Sequence, residues 1–138
     1  MSTTATTTRF TERQAAGLIE RAETAAKAAF EAARSEAMLV GSAKSLFSDE
    51  IDFSQKTYVV NDGVCGFAWV NIQDGRSSFA RQAKKLAGAR KSYYGGMDIR
   101  PKAMGYSQSY ERKLAACHAY AEILREAGIK AFADGRLD

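Results

Sequence analysis

Positive charge is concentrated in one stretch of the sequence, which runs from Arg76 to Lys113. This stretch holds ten basic and two acidic side chains, a net charge of +8, whereas the residues before it carry −3 and those after it −1. Such asymmetry indicates a polyanion partner, because lysine and arginine attract phosphate groups. The basic residues are Arg76, Arg81, Lys84, Lys85, Arg90, Lys91, Arg100, Lys102, Arg112 and Lys113.

Tyrosines lie among these charges, next to the flexible pair Gly95-Gly96. Tyrosine rings can stack on unpaired bases, and paired glycines allow a backbone to approach a ligand closely. The alternative is a solvated basic face with the tyrosines half-buried in the core. The tyrosines are Tyr93, Tyr94, Tyr106 and Tyr110. The residues predicted to contact nucleic acid are Arg81, Lys84, Lys85, Arg90, Lys91, Tyr93, Tyr94 and Arg100.

A second candidate site lies where a predicted strand leads into a predicted helix, at Arg76, Ser77 and Ser78. The backbone amides of a helix start, together with these three side chains, could hold one phosphate or carboxylate. The glycine spacing and the lysine of a P-loop are missing. An ordinary capped turn explains the same residues.

Residues that could support catalysis or bind metal are few. Cys65 and Cys117 stand apart, without the spacing of a zinc site, and their apolar neighbours predict two buried, reduced thiols. His118 is the single histidine. It follows Cys117 on a predicted helix, where neighbouring side chains point about 100° apart, so we expect a half-buried structural role. The sequence therefore identifies no catalytic residue, no metal site and no cofactor, and it favours a non-enzymatic protein.

The N-terminal elements are predicted from caps and composition. Residues 1–9 form a Thr-rich tail, and residues 10–138 form a single domain. Thr11 and Gln14 form a capping box before an alanine-rich helix that we expect to reach about Leu39 and to stop at Gly41. Small residues form a narrow stripe on this helix, which must pack on the body of the protein or on a second copy. The stripe consists of Leu18, Ala22, Ala25, Ala29 and Ala33.

Strands and helices alternate in the remainder of the chain. Residues 57–60 and 64–72 read as an antiparallel hairpin, and the second of these strands is apolar on both faces, which predicts a place in the sheet centre. The elements that follow are a helix capped by Ser77 or Ser78 and ending before Gly88, a strand over 96–100, a helix capped by Ser107 or Ser109 and ending before Gly128, and a strand over 129–133. The predicted class is α+β: a long N-terminal helix, a β-hairpin and then α-β-α-β, with a three- to four-stranded sheet and helices mainly on one face.

Three stretches, Gly66–Ile72, Tyr93–Gly96 and Ala121–Ala131, resemble parts of small uncharacterised proteins encoded by tailed bacteriophages. The resemblance covers roughly the C-terminal half. It implies an accessory or host-interaction protein made inside a bacterium, and it transfers no activity, cofactor or residue role.

The leading hypothesis is a non-enzymatic accessory protein that binds nucleic acid or another polyanion through residues 76–113. One alternative is a protein–protein module, either an inhibitor of a host defence protein or a homo-oligomer joined through the alanine-rich helix. Another is a sponge for, or an enzyme acting on, a small phosphorylated ligand bound at Arg76, Ser77 and Ser78. The residues at the N-terminus do not resemble a secretory signal and no apolar stretch reaches membrane-spanning length, so we expect a cytoplasmic protein without a membrane partner.

Overall fold

The computed structural model describes residues 9–33, 38–40, 58–60, 65–105, 107 and 109–137. Within these ranges the predicted α+β class is confirmed, since helices pack on an antiparallel four-stranded sheet. The predicted tail, residues 1–9, lies outside the described residues except for Arg9.

The first helix, α1, spans Glu12–Ala32 and begins as predicted. The Thr11 Oγ1 accepts a hydrogen bond from the Gln14 amide at 3.1 Å, and the Gln14 Oε1 accepts one from the Thr11 amide at 3.0 Å. This reciprocal pair satisfies two backbone donors that the first helical turn leaves without partners.

The predicted extension of α1 to about Leu39 is wrong. Ala33 has extended backbone (ψ 103°), and Met38–Val40 forms the strand β1, which pairs antiparallel with β2, Tyr58–Val60. The partner of β1 is distant in the sequence, so local alanine content could not reveal it. The predicted hairpin of residues 57–60 with residues 64–72 is therefore not the pairing that forms. The strand β2 pairs with β1, and residues 66–72 belong to a separate four-stranded sheet.

The second sheet has the strand order β4-β5-β3-β6, and each neighbouring pair is antiparallel. Its strands are β3 (Gly66–Ile72), β4 (Arg90–Lys91), β5 (Met97–Ile99) and β6 (Ala131–Leu137). The central place predicted for β3 is confirmed. The short β4 was not predicted, and β6 is longer than the expected 129–133.

Two capped helices connect these strands. Helix α2, Ser78–Ala87, begins after Ser77, whose hydroxyl accepts from the Ala80 amide, and it ends at Gly88 with left-handed φ of 68°. Helix α3, Tyr110–Glu126, begins after Ser109, whose hydroxyl accepts from the Arg112 amide. The chain order β3-α2-β4-β5-α3-β6, with β3 and β5 in the middle of the sheet, is the split β-α-β arrangement.

The core lies between one face of this sheet and the helices. Ala68, Val70 and Ile72 point from β3 toward α3, whose buried residues include Cys117, Tyr120 and Leu124. Because side chains alternate along a strand, the other residues of β3 must point to the opposite face.

The alanine stripe of α1 packs against α3 of the same chain. Leu18 and Ala22 are buried as part of this contact, together with Ala15 and Ala26. The rest of the predicted stripe, Ala25, Ala29 and Ala33, is half-buried. The carboxylate of Glu23 further attaches α1 to the body, because it accepts from the amides of Lys102 and Ala103 at 2.8 and 3.1 Å.

Candidate nucleic-acid interface

One face of the four-stranded sheet is not packed against α1, α2 or α3, and we call it the open face. On β3 it carries Phe67, Trp69 and Asn71, which alternate with the buried Ala68 and Val70. Phe67 remains 40% exposed although it belongs to the central strand. Exposed apolar side chains mark a binding surface when they form a contiguous patch, so the neighbours of Phe67 on this face decide its significance.

The register of β6 extends this surface. Its outward side chains are Phe132, Asp134 and Arg136. Directly opposite neighbours on one face of an antiparallel pair have Cβ atoms about 4.5–5.5 Å apart, so their side chains touch. The pairs are Phe67 with Arg136, Trp69 with Asp134, and Asn71 with Phe132. Aromatic rings therefore stand next to charged or amide groups across the open face.

Two cationic side chains lie close to the ring of Phe67. The guanidinium carbon of Arg136 and the Nζ of Lys113 each lie 5.5 Å from its centroid. Lys113 is buried and donates to the carbonyl oxygen of Gly66 at 2.8 Å, so its position is fixed by the start of β3. Such cation–π contacts hold the Phe67 ring in place.

Asn71 connects the open face to the turn between β4 and β5. Its Nδ2 donates to the Asp98 Oδ1 and to the Gly95 carbonyl oxygen, both at 2.9 Å. Gly95 and Gly96 have φ of 110° and 74°, and a Cβ on Gly96 would collide with the Ile72 carbonyl oxygen. Gly96 therefore permits the close approach of this turn to β3, whereas Gly95 supplies a backbone conformation that other residues rarely adopt.

The same turn presents Tyr93 and Tyr94 to solvent. They are 91% and 84% exposed, and their ring centroids lie 4.9 Å apart with perpendicular planes. The alternative interpretation requires these two rings to be half-buried in the core, and in the structure they are exposed instead. Tyr110 does pack inward, against Gly66 and Gly135, and Tyr106 lies outside the described residues.

The open face and the β4–β5 turn together form a concavity of about 970 Å³. Four basic and two acidic side chains line it: Arg90, Lys91, Arg100, Arg136, Asp98 and Asp134. The rings of Phe67, Trp69, Tyr93 and Tyr94 line it as well. Five of the residues predicted from the sequence to contact nucleic acid are brought together here: Arg90, Lys91, Tyr93, Tyr94 and Arg100.

The other predicted contact residues lie beside this concavity or apart from it. Arg81 and Lys84, on α2, line a second depression of about 590 Å³, together with Arg76 and Lys91. Lys85 points to α1 instead, where its Nζ lies 2.7 Å from the Glu12 Oε1.

The end of the basic stretch contributes to packing within the chain. The Arg112 Nε donates to the Phe30 carbonyl oxygen at 3.1 Å, and its guanidinium carbon lies 4.2 Å from the centre of the Phe30 ring. The backbone amide of Lys102 donates to the Glu23 Oε2, and the buried Lys113 donates from its Nζ to the Gly66 carbonyl oxygen. The basic residues clustered in the sequence thus divide between two adjoining surfaces, contacts with α1 (Lys85 and Arg112) and a contact with the start of β3 (Lys113).

The hydroxyls of the second candidate site make contacts within the chain. Ser77 caps α2, as stated above, and the Ser78 Oγ accepts from the Phe10 amide at 2.8 Å. The Arg76 amide donates to the Asp74 Oδ1 at 3.0 Å, which places a carboxylate at this turn. These contacts favour the capped turn over an anion site.

The two cysteines differ in exposure. Cys117 is buried as predicted, and burial raises the pKa of its thiol from 9.0 to about 12, which keeps the thiol neutral and unreactive. Cys65 is exposed, so the prediction that it is buried is wrong. Cys65 precedes β3 and forms an isolated bridge with Ser109 at the end of the sheet.

His118 is exposed rather than half-buried, because the buried stripe of α3 passes through Cys117 and Ala121 and turns position 118 to solvent. No group of three or more potential metal ligands occurs among the residues that the structure describes.

None of the described helices is both long and apolar enough to cross a membrane. Comparison with protein-family models, curated proteins and solved structures finds no significant match. Evidence for function therefore comes from the surface itself.

Sequence reasoning missed four residues of the open face: Phe67, Trp69, Phe132 and Arg136. The signal was present as aromatic residues at alternate positions of β3 and in the series Phe132-Asp134-Arg136. That these two series lie side by side depends on the register of β3 with β6, which the sequence does not reveal.

Proposed function

We propose that this chain binds single-stranded nucleic acid on the open face of its four-stranded sheet. The observation that carries the proposal is that exposed aromatic rings and four basic side chains line one concavity. Unpaired bases stack on aromatic side chains for about 1–3 kcal/mol each, and the neighbouring cations attract the phosphates between them.

The arrangement of the rings favours single strands over duplexes. In a duplex, the faces of the bases are already stacked, so exposed rings such as Tyr93 and Tyr94 gain no partner. A protein that reads a duplex usually inserts a helix or a β-ribbon into a groove, whereas four-stranded sheets with outward aromatic residues bind splayed, unpaired bases. The open face has the second kind of geometry.

The proposal also covers the biological setting that the sequence suggests. We infer a non-enzymatic accessory protein that works in a bacterial cytoplasm, with the resemblance to tailed-phage proteins as its support. An exposed aromatic patch also suits a protein partner, and the following experiment distinguishes these two ligands.

Filter binding of a labelled single-stranded oligonucleotide, titrated against salt, tests the proposal. We expect affinity to fall steeply with salt, with a slope of about −0.7 for each phosphate contacted. Trp69→Ala should weaken binding about tenfold without changing this slope, because it removes stacking alone. Arg100→Ala should weaken binding and make the slope shallower.

The matched control is Lys27→Ala. Lys27 lies on α1 in a depression lined by Glu20, Glu23 and Glu31, so its loss should leave binding unchanged. Absence of binding at low salt contradicts the proposal and favours a protein partner. Equal losses of affinity in Lys27→Ala and Arg100→Ala would show that the oligonucleotide is held by nonspecific attraction to positive charge and would contradict the proposed site.

A further inference from the structure

A second basic surface adjoins the open face at the edge strand β4. Arg76, Arg81 and Lys84 line the depression of about 590 Å³ described above, whose wall includes the backbone of Gly75 and Gly96. Asp74 is the acidic residue of its lining. The local charge therefore attracts anions, although none of these side chains belongs to the open face.

Lys91 connects the two surfaces. It lies on β4, and it lines both the concavity of the open face and the depression beside α2. A ligand that leaves the open face past β4 therefore meets Lys91 first and the cations of α2 next. Arg81 is oriented for this by a hydrogen bond from its Nη1 to the Arg76 carbonyl oxygen at 2.9 Å.

We propose that the bound strand continues over the β4 edge, and that Lys91, Arg81 and Lys84 hold its phosphates. This inference rests on the proposed function, because the open face must hold the first part of the same strand. The second surface has charge but no exposed aromatic ring in its lining, so it contacts the phosphate backbone and does not stack bases.

Oligonucleotides of different length distinguish the contributions of the two surfaces to binding. Four strands spaced about 4.8 Å apart give a sheet about 14 Å wide, which a strand with splayed bases crosses in a few nucleotides. An oligonucleotide of about five residues therefore occupies the open face alone, whereas one of about twelve residues also reaches α2. Lengths in this range are typical of single-strand binding surfaces.

The test measures affinities of both oligonucleotides for the full chain by fluorescence anisotropy at several salt concentrations. For the Arg81→Ala/Lys84→Ala double variant, we expect about tenfold weaker binding of the longer oligonucleotide and a salt slope about 1.4 shallower. Binding of the shorter one should not change. Both residues are exposed on α2, so the variant should fold, and circular dichroism verifies this.

Lys85→Ala is the matched control, since it removes a neighbouring lysine of α2 that is paired with Glu12, and it should change neither affinity. If the double variant binds both oligonucleotides as well as the wild type, or loses both equally, the continuation over β4 is wrong. If the wild type binds neither oligonucleotide, the proposed function fails together with the inference.

Discussion

At the scale of single residues, the open face shows how one strand can serve two environments. Alternation along β3 places Val70 and Ile72 in the core and Phe67 and Trp69 on the surface. Apolar character on both faces of a strand usually indicates a strand covered on both sides. Here the second face is only partly covered, since Phe67 is exposed and Trp69 is half-buried, and on the proposed function bases stack on these rings.

The hydroxyl of Tyr120 leads to a prediction about stability. Tyr120 is fully buried, and its hydroxyl finds no hydrogen-bond partner among the described residues. An unsatisfied buried hydroxyl costs about 1–3 kcal/mol. Tyr120→Phe keeps the ring and should raise the free energy of unfolding by about 1 kcal/mol in urea denaturation.

Tyr93→Phe is the control for this measurement, because the Tyr93 ring is 91% exposed and its hydroxyl is solvated. It should leave stability unchanged. A Tyr120→Phe variant that is less stable than the wild type would contradict the assignment of an unsatisfied hydroxyl.

At the scale of elements, local sequence signals predict the helices better than the strands. The capping box at Thr11, the serine caps and the glycine after α2 were predictable because a cap depends on residues within a few positions. The strand β1 was predicted as helix, since the pairing that forms it with β2 is not visible locally. The two-residue strand β4 is too short to produce an alternating pattern.

The packing of α1 on α3 leads to a second prediction. Ala22 is fully buried in this contact, so Ala22→Leu should force the helices apart and lower the free energy of unfolding by about 1–3 kcal/mol. Ala28→Leu is the control, because Ala28 is exposed on the same helix and should tolerate leucine. Thermal or urea denaturation measures both. If Ala22→Leu were as stable as the wild type, the close contact of α1 with α3 would be contradicted.

At the scale of the whole molecule, the predicted fold class is confirmed. The candidate interface could be identified only from the order of the strands in the sheet. The sequence shows that the basic residues are concentrated in residues 76–113, and that Tyr93 and Tyr94 lie among them. It could not show that Phe132 and Arg136 lie on the same face as Phe67 and Trp69, which are about 65 residues away along the chain. Nor could it show that Lys85 and Arg112 contact α1 rather than face a ligand.

Stability of the whole chain should also depend on pH in the alkaline range. Burial raises the pKa of Cys117 from 9.0 to about 12, and burial raises the pKa of Tyr120 in the same direction. Above pH 9 the unfolded chain releases the Cys117 proton that the folded chain retains, so the unfolded state is favoured as pH rises toward 12. The free energy of unfolding should therefore fall over this range.

Urea denaturation at a series of pH values measures this fall. Cys117→Ala should make it shallower, and Cys65→Ala, the same substitution at an exposed position, controls for the loss of a thiol. A Cys117→Ala variant with an unchanged pH dependence would contradict this account of the buried thiol.

The fluorescence of Trp69 tests the central claim most directly, because Trp69 is the only tryptophan of the chain and lies on the open face. Titration with a single-stranded oligonucleotide at low salt, excited where tyrosine does not absorb, should quench the Trp69 emission as a base stacks on the indole. Added salt should restore the emission as the strand dissociates. An emission that stays constant while the oligonucleotide binds would place the ligand elsewhere and contradict the account.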